Sequence, residues 1–366
     1  MYSFIKLLHK LKNKIFLILL FIFSCKNSTE KYFKKGMVVS AREEASTAGI
    51  EMLKLGGNAF DAMIATDLAL AVVYPSAGNL GGGGFMVYRL NNDSIGSLDY
   101  REKAPLRASK NMFLDNDGNE IKNLSRVGSL SIGVPGTVAG LFTTYEKFGS
   151  LPLETIFKPA IRLAEKGFRV TKRQAESLNR YREQVLSLND EIKEFESKFK
   201  EGDLFINKPL AKTLKILLKN GKDEFYKGSI SEQIVNYLKS RNGIIEKKDF
   251  EDYEPVWRDP IVFNYKDLEI ISMGPPSSGG VVLGQIFKML DNFDLSEVRH
   301  NDVNYIKLLT EIEKRAFADR SKYLGDPDFN YIPVNEMFDQ SYLDSKISDF
   351  SFEKSTKSVD IFPGLI

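Results

Sequence analysis

The sequence holds one cysteine, one tryptophan and two histidines in 366 residues. A single cysteine allows no disulfide within the chain, so stability has to come from a buried core. Transition-metal sites lean on His and Cys, and with His9 and His300 as the sole imidazoles most such sites, and most Ser/His pairs, are excluded. Any hydrolytic chemistry here needs a nucleophile that works without histidine. Charge of one sign is also lacking: 51 Lys and Arg stand against 49 Asp and Glu, a net +2, too small for nucleic acid to be the main partner. The longest unbroken apolar run, Ile15 to Phe23, has nine residues, well short of the about 20 that a spanning helix needs. There is no internal repeat, and no Pro-, Gly- or Ser-rich linker divides the chain.

What is present begins with a leader. Lys6, Lys10, Lys12 and Lys14 precede "IFLILLFIF", and residues 1–24 contain no acid. A basic stretch, a short apolar run and then Ser24-Cys25 predict a secretory signal peptide over 1–24. Without it the formal charge falls to −2, so the basic balance belongs to the leader. "IFSC" resembles the lipobox of bacterial lipoproteins, with Cys25 as the lipidated residue and Phe23 bulkier than that pattern favours. A short uncleaved anchor is the alternative, and either way the rest of the chain is exported to the periplasm or cell surface. Residues 25–35 form a polar tether and 36–366 form one region, and a chain of this length that is 43% hydrophobic overall can bury a large core.

Within that region Ser40-Ala41-Arg42-Glu43 has capping-box spacing ahead of a small-residue helix that Gly56-Gly57 stops. "AFDAMIATDLALAVVYP" is apolar nearly all round and predicts a buried helix. Gly81 to Gly84 then lead into a hairpin, Phe85 to Leu90 and a second run ending in Asp99-Tyr100-Arg101-Glu102, turned at Asn91-Asn92-Asp93-Ser94. Further helices are predicted in "GVPGTVAGLFTTYEKFG", "LPLETIFKPAIRLAEKGF", the charged "NRYREQVLSLNDEIKEFESKFK" and "NKPLAKTLKILLKNG". Strands are predicted in "DPIVFNYKD" and "LEIISM", and helices in "GGVVLGQIFKML" and the long segment from Asn304, before a polar tail.

The glycine run has two readings: backbone approach to a substrate or anion, or tight packing of helix against strand. A strand follows it, whereas phosphate loops lead into a helix, so a nucleotide cofactor is not supported. Arg101, at the end of the second hairpin strand, can offer a fork of donors to a carboxylate or can pair with Glu102 or another acid, and spacing alone does not choose. Thr143-Thr144 sits inside a helical pattern with no histidine following. Ser277-Ser278 in "GPPSSGG" predicts a turn closing onto the next helix, and His300 a surface position near a helix start. Asp319, Asp326 and Asp328 do not match a calcium loop and predict helix-end capping with a turn. No metal site is expected.

In this order, "GGNAFDAMIATDLALAVVYPSAGNLGGGGFM", "DYREKAP", "GVPGTVAGL", "PPSSGG" and "ADRSKYLGDPDF" resemble the large-subunit portion of gamma-glutamyltransferases, also called glutathione hydrolases, from about Gly36 onward. The resemblance implies an α+β, N-terminal-nucleophile hydrolase fold, an αββα sandwich made as one proenzyme that cuts itself before a threonine. That threonine opens the small subunit, and its hydroxyl attacks the gamma-glutamyl amide with its own α-amino group as base, which suits a histidine-poor chain. The acyl group then passes to water, an amino acid or a dipeptide. Arg101, in "YREKAP", matches the family arginine that binds the α-carboxylate of the gamma-glutamyl group.

The same resemblance places the nucleophilic threonine beyond Ile366, after a Pro-Gly such as Pro363-Gly364, so no catalytic residue is expected within the chain, which is expected to be truncated before the nucleophile. Glutathione and related gamma-glutamyl compounds are the expected partners, with a small subunit and, through the leader or Cys25, a membrane. Two alternatives stay open: a related acylase acting on another amide, and a non-catalytic exported lipoprotein keeping part of the fold.

Overall fold

The computed structural model describes residues 36–189 and 192–365. The leader, Cys25 and the 25–35 tether lie outside the described residues. Met1–Val39 falls outside the main unit, Ser40–Ile366, whose architecture follows.

Helix α1, Glu43–Lys54, buries Met52 together with Ala45, Ala48 and Gly49, small residues that let α2, Ala59–Val73, lie close along it. The capping box predicted at Ser40 is not formed. Arg42 is the N-cap residue, and Ser40 Oγ donates instead to the Arg42 carbonyl at 2.8 Å. The box is made one helix later, by Asn58 and Asp61 on α2. Asp61 also accepts from Ser150 N and Leu151 N, so a cap at one helix fastens the loop after another. As its composition predicts, α2 is enclosed on almost every side, since it packs on α1 and on two later helices, α3 (Thr137–Phe148) and α4 (Leu153–Lys166).

The predicted hairpin is present as β1, Phe85–Arg89, and β2, Ile95–Asp99, with Phe85 opposite Asp99 and Arg89 opposite Ile95. Met86, Leu98 and Tyr100 form its buried face, against Phe60, Met63 and Phe148. The two-residue strands β3, Phe168–Arg169, and β4, Leu204–Phe205, pair with each other and flank α5, Lys172–Leu188. That helix starts and ends earlier than its charge pattern predicts, because Thr171 with Gln174 makes a capping box upstream. Helices α6 (Lys208–Asn220), α7 (Lys222–Tyr226), α8 (Ser229–Lys239) and α9 (Lys247–Glu251) follow.

A third strand, β5, Val256–Arg258, joins the hairpin beside β2, giving the order β1-β2-β5, and sequence patterning misses it because three residues carry no period. The two predicted strands, β6, Ile261–Tyr265, and β7, Leu268–Ser272, are present and pair antiparallel with each other. The remaining helices are α10 (Gly279–Leu290), α11 (Val303–Tyr323), α12 (Val334–Met337) and α13 (Gln340–Ile347). The last two lie in what the sequence suggests is merely a polar tail. Leu343 and Ile347 on α13 join Met289, Leu308, Ile312 and Ala316 in one core, so this segment is part of the fold.

Candidate active site

A cavity of about 520 Å³ opens where the end of β2, the end of β5, the turn before α10 and the C-terminal end of α11 converge. Arg101 lines it. β2 delivers this residue in a fixed place because its backbone is held on both sides. Its amide donates to Asp99 Oδ1 at 3.0 Å, and its carbonyl accepts from the Tyr253 hydroxyl at 2.8 Å.

The glycines around this strand end serve close packing. A Cβ on Gly83 would stand 2.6 Å from the Tyr100 carbonyl oxygen, and one on Gly136 would stand 2.0 Å from that same atom and 2.1 Å from the Tyr253 hydroxyl. The glycine run therefore acts here through backbone contact with residues 100–102, and Gly136 N closes the arrangement by donating to Gly82 O at 2.7 Å.

Charge in the cavity is divided unequally. Arg258 Nε donates to Asp99 Oδ2 at 2.8 Å, and its two Nη groups take both oxygens of Asp328 at 2.9 and 3.0 Å. This bidentate pair raises the Arg258 pKa further above its ordinary value, and the Arg258 hydrogen bond is the largest cause holding Asp328 below the usual carboxylate range. Arg258 is thus neutralised twice over. Lys103 donates to the Glu254 carbonyl at 3.2 Å and lies over the Tyr253 ring. The Arg101 guanidinium has no ion pair and no side-chain hydrogen bond among the described residues, so the pairing with Glu102 that the sequence leaves open is not made. An unpaired guanidinium in a cavity is a receptor for a carboxylate.

The other sequence candidates separate. Ser277 and Ser278 line the cavity and His300 does not, its ring instead lying 5.2 Å from that of Tyr305. Thr144 is buried within α3 and donates to Gly140 O at 2.8 Å, as a helix-interior threonine does. The three aspartates are a correction, since only Asp326 behaves as a turn residue, accepting from Asp328 N at 3.0 Å. Asp328 is the partner of Arg258. Asp319 is fully buried inside α11 and holds Lys346 Nζ at 2.6 Å, the Tyr342 hydroxyl at 2.7 Å and Gln285 Nε2 at 2.9 Å. Among the described residues no three His, Cys, Asp or Glu side chains are grouped to hold a metal. Asp99, Arg258 and Arg320 are site residues that sequence reasoning does not find, because the strand that carries Arg258 is too short to see and its partners lie far away in the chain.

Residues 45–362 match the family described as gamma-glutamyltranspeptidase. The chain is 41% identical over 335 residues to the glutathione hydrolase proenzyme of Escherichia coli (strain K12), a match covering 90% of this chain and 58% of that protein. It thus spans well under two thirds of that relative's length. Among solved structures, the Helicobacter pylori gamma-glutamyltranspeptidase superposes with a TM-score of 0.88 at 44% identity, over 91% of this chain and 97% of that one. The Pseudomonas nitroreducens gamma-glutamyltranspeptidase complexed with L-DON gives 0.84 at 37% identity, over 91% and 99%. The α+β fold with its converging strand and helix ends, and this agreement along nearly the whole described chain, place the chain in the gamma-glutamyltranspeptidase family.

Proposed function

We propose that this chain supplies the carboxylate-binding part of an enzyme that hydrolyses or transfers the gamma-glutamyl group of glutathione and related amides. The observation that carries this is the Arg101 guanidinium, unpaired in the cavity while its neighbour Arg258 is saturated by two aspartates. The α-carboxylate of a gamma-glutamyl group docks on that fork, which fixes the amide carbonyl relative to the nucleophile. Following the family resemblance, the nucleophile is a threonine at the start of a small subunit. Its hydroxyl adds to the amide carbonyl as its α-amino group takes the proton, the amine leaves with a proton returned, and a gamma-glutamyl ester remains. Water or the amine of an amino acid or dipeptide then takes the acyl group. Self-cleavage of a proenzyme and a small-subunit partner belong to the same proposal. The leader and Cys25 support export with attachment at the membrane, and no helix among the described residues is long and apolar enough to cross one.

The test is Arg101→Lys in the full-length protein. Lysine keeps the charge but not the fork, so KM for a gamma-glutamyl anilide rises by about tenfold or more, with a smaller change in kcat. An unchanged KM removes Arg101 from the site.

A further inference from the structure

A second guanidinium in the cavity has no counter-ion. Arg320, near the C-terminal end of α11, lines the same space as Arg101, and its Nε donates to Ser278 Oγ at 3.0 Å. Its guanidinium also lies over the Phe317 ring, 5.7 Å from the centroid. Neither Nη group has a hydrogen-bond or carboxylate partner among the described residues, although Asp99, Glu102, Asp326 and Asp328 line the cavity with it. Asp99 and Asp328 are committed to Arg258, and Asp326 to the backbone of its own turn.

Ser278 is set up for this contact. It is the N-cap residue of α10, where a serine hydroxyl usually accepts from the helix amides. Here it makes no such bond, and Ser277 Oγ takes the Gly279 amide at 3.3 Å. The hydroxyl released from capping fixes one edge of the Arg320 fork and leaves the other edge for a ligand.

We propose that Arg320, held by Ser278, binds a second carboxylate, the free C-terminal carboxylate of a gamma-glutamyl peptide whose α-carboxylate is on Arg101. This rests on the proposed gamma-glutamyl function and adds to it a preference, among gamma-glutamyl compounds, for peptides with an unblocked C-terminus, glutathione among them. The cavity, about 520 Å³, lies within the range of roughly 300–1,000 Å³ typical of small-molecule sites. Two unpaired guanidinium groups delivered by different elements match a ligand carrying two carboxylates.

The experiment measures dissociation constants by titration calorimetry on the full-length protein, with glutathione and with glutathione amidated at its glycine carboxylate. Arg320→Gln weakens glutathione binding by about tenfold to a hundredfold and changes binding of the amide less than about twofold, while Arg101→Gln weakens both. Arg320→Lys, which keeps the charge, loses less than Arg320→Gln, and Ser278→Ala lowers glutathione affinity without touching the amide. Equal effects of Arg320→Gln on the two ligands, or none, overturn the second carboxylate site. If Arg101→Gln alters neither ligand while Arg320→Gln still separates them, the assignment of Arg101 fails and that of Arg320 stands. Absence of any glutathione binding to the wild type overturns both.

Discussion

The Asp99 carboxylate joins Arg258 and Arg101: Oδ2 takes the Arg258 side chain at 2.8 Å, and Oδ1 takes the backbone amide of Arg101 at 3.0 Å. One acid thus neutralises Arg258 and positions the backbone of Arg101, whose side chain makes no ion pair among the described residues. The pair is largely shielded, with side-chain exposures of 9% for Asp99 and 15% for Arg258.

Asp99→Asn keeps the shape and removes the charge. It lowers unfolding free energy by about 2 kcal/mol, the range for a shielded charge-assisted contact, and raises KM because the anchor of the Arg101 backbone is weakened. Urea denaturation and substrate titration on the same variant check both effects.

Asp67, on α2, has no hydrogen-bond or ion-pair partner among the described residues to repay its burial, which pushes its pKa from 3.8 up to about 6. A carboxyl raised in the folded state contributes stability that is complete below its unfolded pKa and is lost as pH rises through the folded one. Asp67→Asn therefore stabilises the protein above pH 7 by about 2–3 kcal/mol and leaves it unchanged near pH 3.5. A stability profile in which the variant gains equally at both ends rejects this account.

Glu311 shows the opposite sign. Burial works against its charge, but hydrogen bonds from Lys314, Arg315 and Thr356 outweigh it and bring the pKa from 4.5 down to about 2. Its stabilisation is present above pH 4.5 and lost as pH falls toward 2, a loss of about 3 kcal/mol from this group. Glu311→Gln flattens that part of the acid-unfolding curve, measured by circular dichroism against pH.

Lys346→Met leaves the Asp319 carboxylate buried without its cation, which costs about 3–5 kcal/mol. Lys346 and Tyr342 also hold the segment after α13, through Phe362 O at 3.2 Å and Gly364 N at 3.3 Å. Amide exchange at Phe362, Gly364 and Leu365 accelerates more than global destabilisation accounts for, and a uniform change across the chain counts against this link.

Local rules recover much of the fold. The β1–β2 hairpin follows from alternation and its turn, the enclosure of α2 from apolar residues spread nearly all round it, and the helix stop after α1 from Gly56, whose φ is +87°. They fail at Ser40, where capping-box spacing is present but Arg42 takes the cap position, and at Asp319, where an acid near a helix end belongs to a buried network. In both cases a nearest-neighbour pattern competes with tertiary partners that it does not contain.

By itself the sequence determined the succession of helices, the first hairpin and the two later strands, and the position of Arg101 at a strand end. Only the tertiary structure decided which cations in the cavity are free. Arg258 meets Asp99 across 159 positions and Asp328 across 70, and Ser278 meets Arg320 across 42. Spacing arguments reach one turn of helix or one strand pair, whereas an ion pair depends on distance in space, so the charge that a substrate meets is fixed only when β2, β5, α10 and α11 come together.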